Sequence, residues 1–272
     1  MLDSINAGEN EVTRNSDDST ITETPSKDII LKDPSKAVVV SATLDTYVGQ
    51  LKIGDKVNFG SYSFESYSKK QAIEWRILDI KDGKALLWSE LCLDIMSYNE
   101  HFRDCCDWRN SSIREWLRDR FTCDYSSFAA FTESREKNAI CSTDVEESKN
   151  SKSGRVSGKI SRQKAFILSK EEIERYALSK EILAARATPY AKQEFGYRLG
   201  KRKWRQNYIT GFGYWLRTPG ATDVTQTVID EDGQINEGGV DGRFADLGVR
   251  PAIWVDYKKL DKLVQKQRAL NN

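Results

Sequence analysis

Residues 73–88 hold two runs of alternating apolar side chains, separated by Asp82-Gly83. Alternation of this kind is typical of β-strands that bury one face. A two-residue turn between twisted strands needs positive φ angles, which Asp and Gly tolerate. The segment therefore predicts a β-hairpin, and the rest of the chain has to cover the apolar face of the sheet that contains it.

Helices are predicted elsewhere by signals in their first turns. Ser112-Ile113-Arg114-Glu115 and Ser169-Lys170-Glu171-Glu172 have the spacing of a capping box, which satisfies the first free amides of a helix. Thr188-Pro189 predicts a third helix, and Gly196 is expected to end it. Short helices between strands predict an α+β fold, a single domain of antiparallel sheets with a few short helices.

The second half of the chain predicts mostly strands and loops. Tyr214-Trp215-Leu216-Arg217 is a short apolar strand, and Asp232-Gly233 is a second hairpin-type turn. Residues 248–255 form another strand, in which Pro251 predicts an edge or a bulge because proline cannot donate to a ladder. Residues 144–162 are rich in Ser, Lys and Gly, which predicts a long mobile loop.

Composition divides the 272 residues into three parts. Residues 1–47 hold nine acidic and four basic side chains and predict a flexible acidic leader. Residues 48–256 predict the folded domain, and residues 257–272 a basic tail or a short surface helix. No apolar run approaches about 18 residues and no signal peptide is visible, which predicts no membrane span and a cytoplasmic location. A processed or truncated chain from the cell surface or a secreted protein would show the same pattern.

Charge and cysteine content argue against some classes of protein. The net charge of +1 does not indicate a globally basic nucleic-acid-binding protein. The five cysteines are odd in number and contain no C-x-x-C pair. A chain of this length needs no disulfide framework, so reduced thiols are the favoured interpretation.

Catalytic and metal chemistry have few candidates. His101 is the only histidine, so any His-based triad or metal site depends on it. The nearby Cys105-Cys106 pair allows a zinc site or a reactive thiol, but the spacing fits no standard zinc pattern and an ordinary loop is favoured. Residues 230–233 resemble part of a calcium loop without its terminal Glu, so a hairpin turn is favoured there. We predict no catalytic residue, no metal and no cofactor.

Two further sets of residues leave a structural and a binding role open. Residues 198–205 interleave basic and aromatic side chains, which suits either a solvated loop or a polyanion site. Arg217 and Arg250 stand near prolines, where each either pins a carboxylate such as Asp223 or Asp246 or meets an anionic ligand. Core packing is the expected role of six tryptophans, namely Trp75, Trp88, Trp108, Trp116, Trp215 and Trp254.

Five segments in this order resemble a bacterial family known only as domain of unknown function 6273, over about residues 48–256. They are Ile53-Gly54-Asp55 with Phe59-Gly60-Ser61-Tyr62, residues 73–78, residues 108–117, residues 214–220 and residues 248–254. The two closing segments also resemble the end of C-type-lectin-like folds and of the sulfatase-modifying formylglycine-generating enzymes. That resemblance implies a ligand-display surface on the loops between Arg217 and Arg250.

The chain departs from both of these more distant relatives. It has no cysteine after Cys141, so the cysteine pair of the formylglycine-generating enzymes and their oxidase chemistry are not implied. The calcium-binding strings of the lectins are absent as well. Calcium-dependent sugar binding is therefore not implied either.

Our hypothesis from the sequence is a non-enzymatic binding or interaction module with a protein or carbohydrate ligand. The alternatives are an enzyme with thiol-based or transfer chemistry, and polyanion or nucleic-acid binding through residues 198–205. Recognition is expected on the C-terminal hairpin loops, because a well-marked scaffold there closes around a polar segment. The predicted ligand-binding residues are Trp215, Arg217, Asp223, Asp230, Asp232, Arg243 and Arg250.

Overall fold

The predicted hairpin is the centre of the first sheet. The computed structural model describes residues 49–100, 107–176, 178–201, 213–243 and 246–271. Strands β2 (Lys69–Lys81) and β3 (Lys84–Ser89) pair antiparallel. Between them Asp82 has a φ of 51° and Gly83 a φ of 70°. Both angles are left-handed, as a two-residue turn between twisted strands requires, so the predicted hairpin is confirmed.

The first sheet has six antiparallel strands in the order β1-β2-β3-β13-β5, with β8 also paired to β13. Its inner face is apolar because alternate residues of β2 and β3 point to one side. Trp75 and Ile77 on β2 are fully buried, as is Leu87 on β3. The remaining strands are β1 (Lys56–Ser66), β5 (Ile140–Cys141), β8 (Phe166–Ile167) and β13 (Pro251–Asp256).

The second sheet has five strands in the order β11-β10-β9-β12-β4, and its only parallel pair within the described residues is β9–β12. A separate two-stranded ribbon is formed by β6 and β7. The α+β prediction of antiparallel sheets with a few short helices is therefore confirmed. The strands are β4 (Asp94–Ser97), β6 (Thr143–Val145), β7 (Ile160–Gln163), β9 (Tyr214–Pro219), β10 (Thr225–Ile229), β11 (Ile235–Asp241) and β12 (Asp246–Val249).

Two of the capping predictions can be compared with the helices that form. Helix α1 (Ser112–Trp116) continues as a π-helical turn, Leu117–Phe121, but its cap is Ser111, whose Oγ accepts a hydrogen bond from the Arg114 amide at 3.1 Å. The predicted Ser112–Glu115 box is therefore wrong by one residue. Helix α2 (Ser134–Ala139) follows. Helix α3 (Lys170–Arg175) has the predicted capping box, with Glu172 and Ser169 each accepting from the other's amide at 2.9 and 3.2 Å.

Two later helices run further than the sequence indicated. After α4 (Lys180–Leu183), helix α5 (Pro189–Lys201) begins at the predicted cap but passes through Gly196. The predicted stop is wrong because a single glycine costs about 1 kcal/mol in a helix without ending it. After residue 256 the helix alternative is the observed one: α6 (Tyr257–Asn271) buries Leu260 and Val264 against the core.

Pro251 is placed differently from the prediction. It is the first residue of β13, an interior strand with β3 on one side and β5 and β8 on the other. A strand's first position tolerates proline because the missing amide falls at the start of the ladder. The edge or bulge predicted for it is therefore wrong. Within the described residues, no helix is both long and apolar enough to cross a membrane.

Candidate functional site

A polar loop, residues 146–159, joins β6 to β7 and packs against the second sheet through Asn150. This side chain is fully buried. Its Nδ2 donates to the carbonyls of Pro219 on β9 and Glu237 on β11, at 2.8 and 2.9 Å. Its Oδ1 accepts from the amides of Lys152 and Ser153, at 2.9 and 2.8 Å. One amide side chain thus closes the loop on itself and fastens it to two strands.

The first turn of α3 holds the start of the same loop. The Glu171 carboxylate accepts from Ser148 Oγ at 2.6 Å and from the Lys149 amide at 2.9 Å. Ser148 Oγ also lies 2.6 Å from Thr218 Oγ1 on β9. The loop predicted to be long and mobile therefore has a defined path. Side-chain hydrogen bonds to the backbone replace the apolar burial that the sequence lacks there.

Glu237 on β11 is a third attachment point. Its carboxylate accepts from Ser151 Oγ at 2.7 Å and from the Ser151 amide at 3.1 Å. The Lys170 ammonium group pairs with the same carboxylate at 3.0 Å. The loop, helix α3 and β11 are thus joined at one carboxylate.

The loop also reaches the turn between β9 and β10. Arg155 donates to the carbonyl of Thr222 and pairs with the Asp223 carboxylate at 3.2 Å. The turn between β11 and β12 lies beside it, since the Gly242 amide donates to the Val224 carbonyl at 2.9 Å. We call residues 149–155, 220–224 and 241–243 together the hairpin surface.

The two carboxylates that hold the loop have lowered pKa values. Burial alone would raise the pKa of Glu171, but the hydrogen bonds from Ser148 and the Lys149 amide outweigh it and lower the pKa. The pKa of Glu237 is lowered in the same way, where the bonds from Ser151 and the Lys170 cation outweigh burial. Both groups are therefore ionised acceptors at neutral pH.

Of the predicted ligand-binding residues, Asp223 and Arg243 belong to the hairpin surface. The side chain of Asp223 is 78% exposed. Arg243 is partly exposed and pairs with Asp241 at 2.9 Å. Both are accessible, and both lie at the same end of the β10–β11 hairpin.

Asp230 and Asp232 lie at the other end of that hairpin. Asp230 Oδ1 accepts from the amides of Asp232 and Gln234 at 3.0 and 2.8 Å, and Gly233 has a φ of 76°. This confirms the hairpin-type turn. A Cβ atom at Gly233 would meet the Lys180 carbonyl at 2.4 Å, so this turn packs against α4. The four predicted residues that are not buried therefore do not form one cluster.

Trp215, Arg217 and Arg250 are all buried. The Trp215 indole donates to the Met96 carbonyl at 2.9 Å. Arg250 donates to the carbonyls of Ser89 and Ile182 at 2.6 and 2.8 Å. Its guanidinium lies 3.3 Å from the centre of the Trp88 ring, so its contacts belong to the core.

The two arginines pin different groups from those expected. Arg217 pairs with Glu172 of α3 at 2.7 Å, not with Asp223 or Asp246. Asp246 instead accepts from Ser97 Oγ at 2.6 Å. Arg250 donates to backbone carbonyls. A sequence pattern does not reveal such partners, because every residue carries a carbonyl.

Sequence reasoning missed the residues that build this region, notably Ser148, Asn150, Arg155 and Glu237. The capping box of α3 placed the helical turn that supplies two of their partners, Lys170 and Glu171. Bonds between side chains and distant carbonyls have no periodic signature, so the attachment of the loop was not visible in the sequence.

The candidates for catalysis or a metal site, His101, Cys105 and Cys106, lie outside the described residues, as do the side chains of residues 198–205, the candidate polyanion site. In the described part of the chain, Cys92, Cys123 and Cys141 are free thiols. Burial raises the pKa of Cys92 to about 12, which removes it as a nucleophile at neutral pH. No group of three or more potential metal ligands occurs within the described ranges.

The model of a family described as Domain of unknown function (DUF6273) matches residues 82–257. The chain belongs to this family. No curated protein and no solved structure matches the chain.

The DUF6273 match begins at the turn of the central hairpin and ends at the first residue of α6. It therefore includes β3 to β13 and the hairpin surface. It is shorter than the span of about 48–256 expected from sequence. The segments around Ile53-Gly54-Asp55 and Ile73 lie before it, although β1 and β2 belong to the same sheet as the DUF6273 strands β3 and β13.

Proposed function

We propose that this DUF6273 domain is a non-enzymatic binding module whose recognition surface is the hairpin surface. One observation carries the proposal. Buried polar side chains hold the exposed polar loops in place before any ligand binds. Asn150 and Glu237 attach the loop to strands β9 and β11, while Asp223 remains open to solvent. A preformed surface loses less entropy when a ligand binds, which favours affinity.

The exposed groups suit a polar partner. The surface carries Lys149, Lys152 and Arg155 beside Asp223 and Arg243, so both signs of charge are available. In the ion pair between Arg155 and Asp223 the Asp223 side chain is 78% exposed, so its carboxylate is open to a ligand, and the pair contributes only about 0–1 kcal/mol to stability. We propose a protein or carbohydrate ligand that replaces the contact between Arg155 and Asp223.

The seven predicted residues then divide by role. Asp223 and Arg243 contact the ligand, whereas Trp215, Arg217 and Arg250 hold the frame behind it. Asp230 and Asp232 form the opposite turn and serve as the internal comparison. This division follows from their burial and from the two ends of the hairpin.

The same proposal includes a C-type-lectin-like or formylglycine-generating-enzyme-like architecture and a bacterial source. The architecture is supported by the position of the two segments that carry the resemblance. Strand β9 contains Trp215-Leu216-Arg217, and it pairs with β12, which leads directly into β13. The connection from β12 to β13 joins the two sheets, and the loops that carry Asp223 and Arg243 lie together at one end of the β10–β11 hairpin.

The test is a pair of double variants screened against glycan and protein arrays. Asp223→Ala with Arg243→Ala should abolish capture of any ligand found with the wild type and change Tm little. Asp230→Ala with Asp232→Ala, at the other turn, should leave capture unchanged. Ligand capture that survives the first pair would show that recognition lies elsewhere on the domain.

The thiol-based alternative stays a prediction with its own measurement. A catalytic Cys105 or Cys106 would be alkylated quickly near neutral pH, because a reactive thiol has a lowered pKa. Slow labelling of all five cysteines would remove this alternative. Binding of nucleic acid through residues 198–205 would instead weaken steeply with rising salt.

A further inference from the structure

A polar cleft lies at the C-terminal end of helix α3, whereas the 146–159 loop is held at its first turn. It is bounded by the β2–β3 turn, by β6, by the end of α3 and by β13. Its volume of about 290 Å³ is at the lower limit of ligand pockets, which enclose about 300–1,000 Å³. The residues that line it include none of the hairpin surface, so the two regions can be tested independently.

The wall of this cleft is aromatic. Trp254 and Tyr176 are partly exposed, and buried Phe166 lies beside them. On β13 the neighbours of Trp254, Ile253 and Val255, are fully buried, so Trp254 faces the outer side of the sheet. The core role predicted for Trp254 is therefore only partly correct, since part of its ring lines the cleft.

Three cations stand on the rim of this cleft, and two of them lie side by side. Lys81 and Lys84 stand directly opposite each other in the hairpin, where like charges repel. Neither ammonium group forms an ion pair with a side chain in the described part of the molecule. The exposed Arg175 adds a third cation to the same cleft. An anionic group bound here would relieve the repulsion.

Four carboxylates also line the cleft, those of Asp82, Asp144, Glu146 and Glu172, and the last three each have a partner. Glu146 pairs with Lys159 at 3.4 Å, and Asp144 accepts from the Arg162 amide at 3.2 Å. These carboxylates oppose a doubly charged phosphate but accept hydrogen bonds from hydroxyl groups. The lining therefore favours a ligand with one negative charge and several hydroxyls.

Two fixed polar groups are suited to orient such a ligand. Glu172 is held by Arg217 at 2.7 Å and by the Ser169 amide at 2.9 Å. Arg217 is 1% exposed, and its Nε and Nη1 have no hydrogen-bond partner among the described residues. Burial, with the carboxylates of Glu172 and Asp79, raises the pKa of Tyr176 to about 12. The Tyr176 hydroxyl therefore remains a donor at neutral pH.

We infer that this cleft binds an acidic saccharide residue. Its carboxylate lies between Lys81, Lys84 and Arg175, where charge-assisted hydrogen bonds are strong. Its apolar ring face packs on Trp254, because an indole presents a large apolar surface. Its hydroxyls donate to Glu172 and accept from Tyr176. The inference does not depend on the hairpin surface.

Calorimetric titration of the full chain with free sugars tests the inference. Glucuronic acid and N-acetylneuraminic acid are the acidic probes, with glucose, inorganic phosphate and adenosine monophosphate as comparisons. We expect at least one acidic sugar to bind with a Kd in the millimolar range or tighter, and its affinity to fall as salt rises. Glucose should bind at least about tenfold more weakly, since it lacks the charge-assisted bonds.

Matched variants locate the site. Lys81→Gln with Lys84→Gln should weaken binding of the acidic sugar at least about tenfold, while Lys69→Gln, on the exposed far end of the same strand, should not change it. Both sets are exposed, so folding is preserved. Trp254→Phe keeps a ring and should weaken binding less than the double lysine variant.

Several results would overturn the inference. They are no binding of either acidic sugar, equal binding of glucose, equal or tighter binding of phosphate or the nucleotide, and an unchanged Kd in the double lysine variant. Asp223→Ala with Arg243→Ala should leave sugar binding intact. A loss of array capture in that variant with sugar binding retained would separate the two sites, and failure of either proposal would leave the other standing.

Discussion

The central hairpin and the 146–159 loop are ordered by different physical means. In the hairpin, alternate side chains such as Trp75 and Leu87 are buried in an apolar core, and the turn needs only Asp82-Gly83. In the loop, Asn150 and its partners form a network of hydrogen bonds to backbone atoms. A segment almost without apolar residues can therefore be fixed in place when a few buried polar side chains satisfy its backbone hydrogen bonds.

The largest expected effect is in the apolar region. Trp75→Ala removes a fully buried ring and the hydrogen bond from its indole to the Phe59 carbonyl, which measures 2.7 Å. We expect the free energy of unfolding to fall by about 3–5 kcal/mol, as for other large core truncations. Urea unfolding measures this loss. A change below about 1 kcal/mol would contradict the assigned core.

A smaller effect is expected in the polar region. Asn150→Ala removes four hydrogen bonds and leaves the Glu237 carbonyl without this donor. We expect a loss of about 2–3 kcal/mol, because unsatisfied buried polar groups are costly. Asn58→Ala, at an exposed position on β1, is the matched control and should stay within about 0.5 kcal/mol of the wild type. Equal effects of the two substitutions would show that the loop is not anchored.

The smallest effect concerns pH. The folded-state pKa of Glu171 is lowered from its usual 4.5, so its contribution is fully present above pH 4.5 and is lost as pH falls through the folded-state pKa. Wild type should therefore be more stable than Glu171→Gln at neutral pH, and the difference should shrink on acidification below pH 4.5. Unfolding curves at a series of pH values measure it. A difference that grows on acidification would contradict the assigned hydrogen bonds.

Sequence patterns predicted the parts of the fold that depend on local rules. The Asp82-Gly83 turn and the Ser169–Glu172 capping box were found because each needs particular residues at fixed spacing. The end of α5 was missed because a single glycine costs a helix only about 1 kcal/mol and does not end it at Gly196. Pro251 was misplaced because its position within the strand decides its effect.

The candidate site was predicted less well, for a physical reason. The sequence placed Asp223 and Arg243 on loops, and the structure brings them to one end of the hairpin. The sequence could not show that Arg217 and Arg250 are buried, because a buried arginine is stabilised by partners distant in sequence. These are Glu172 for Arg217 and two backbone carbonyls for Arg250. Long-range polar contacts leave no local pattern.

Amide hydrogen exchange in residues 146–159 of the native protein is the most direct test of a preformed hairpin surface. The amides of Asn150 and Ser157 donate to the carbonyls of Arg155 and Ser148, each at 2.9 Å. We predict that both exchange far more slowly than in an unstructured peptide, and that Asn150→Ala removes this protection while the β2–β3 hairpin keeps its own. If these two amides of the wild type exchange as fast as in an unstructured peptide, the hairpin surface is not preformed.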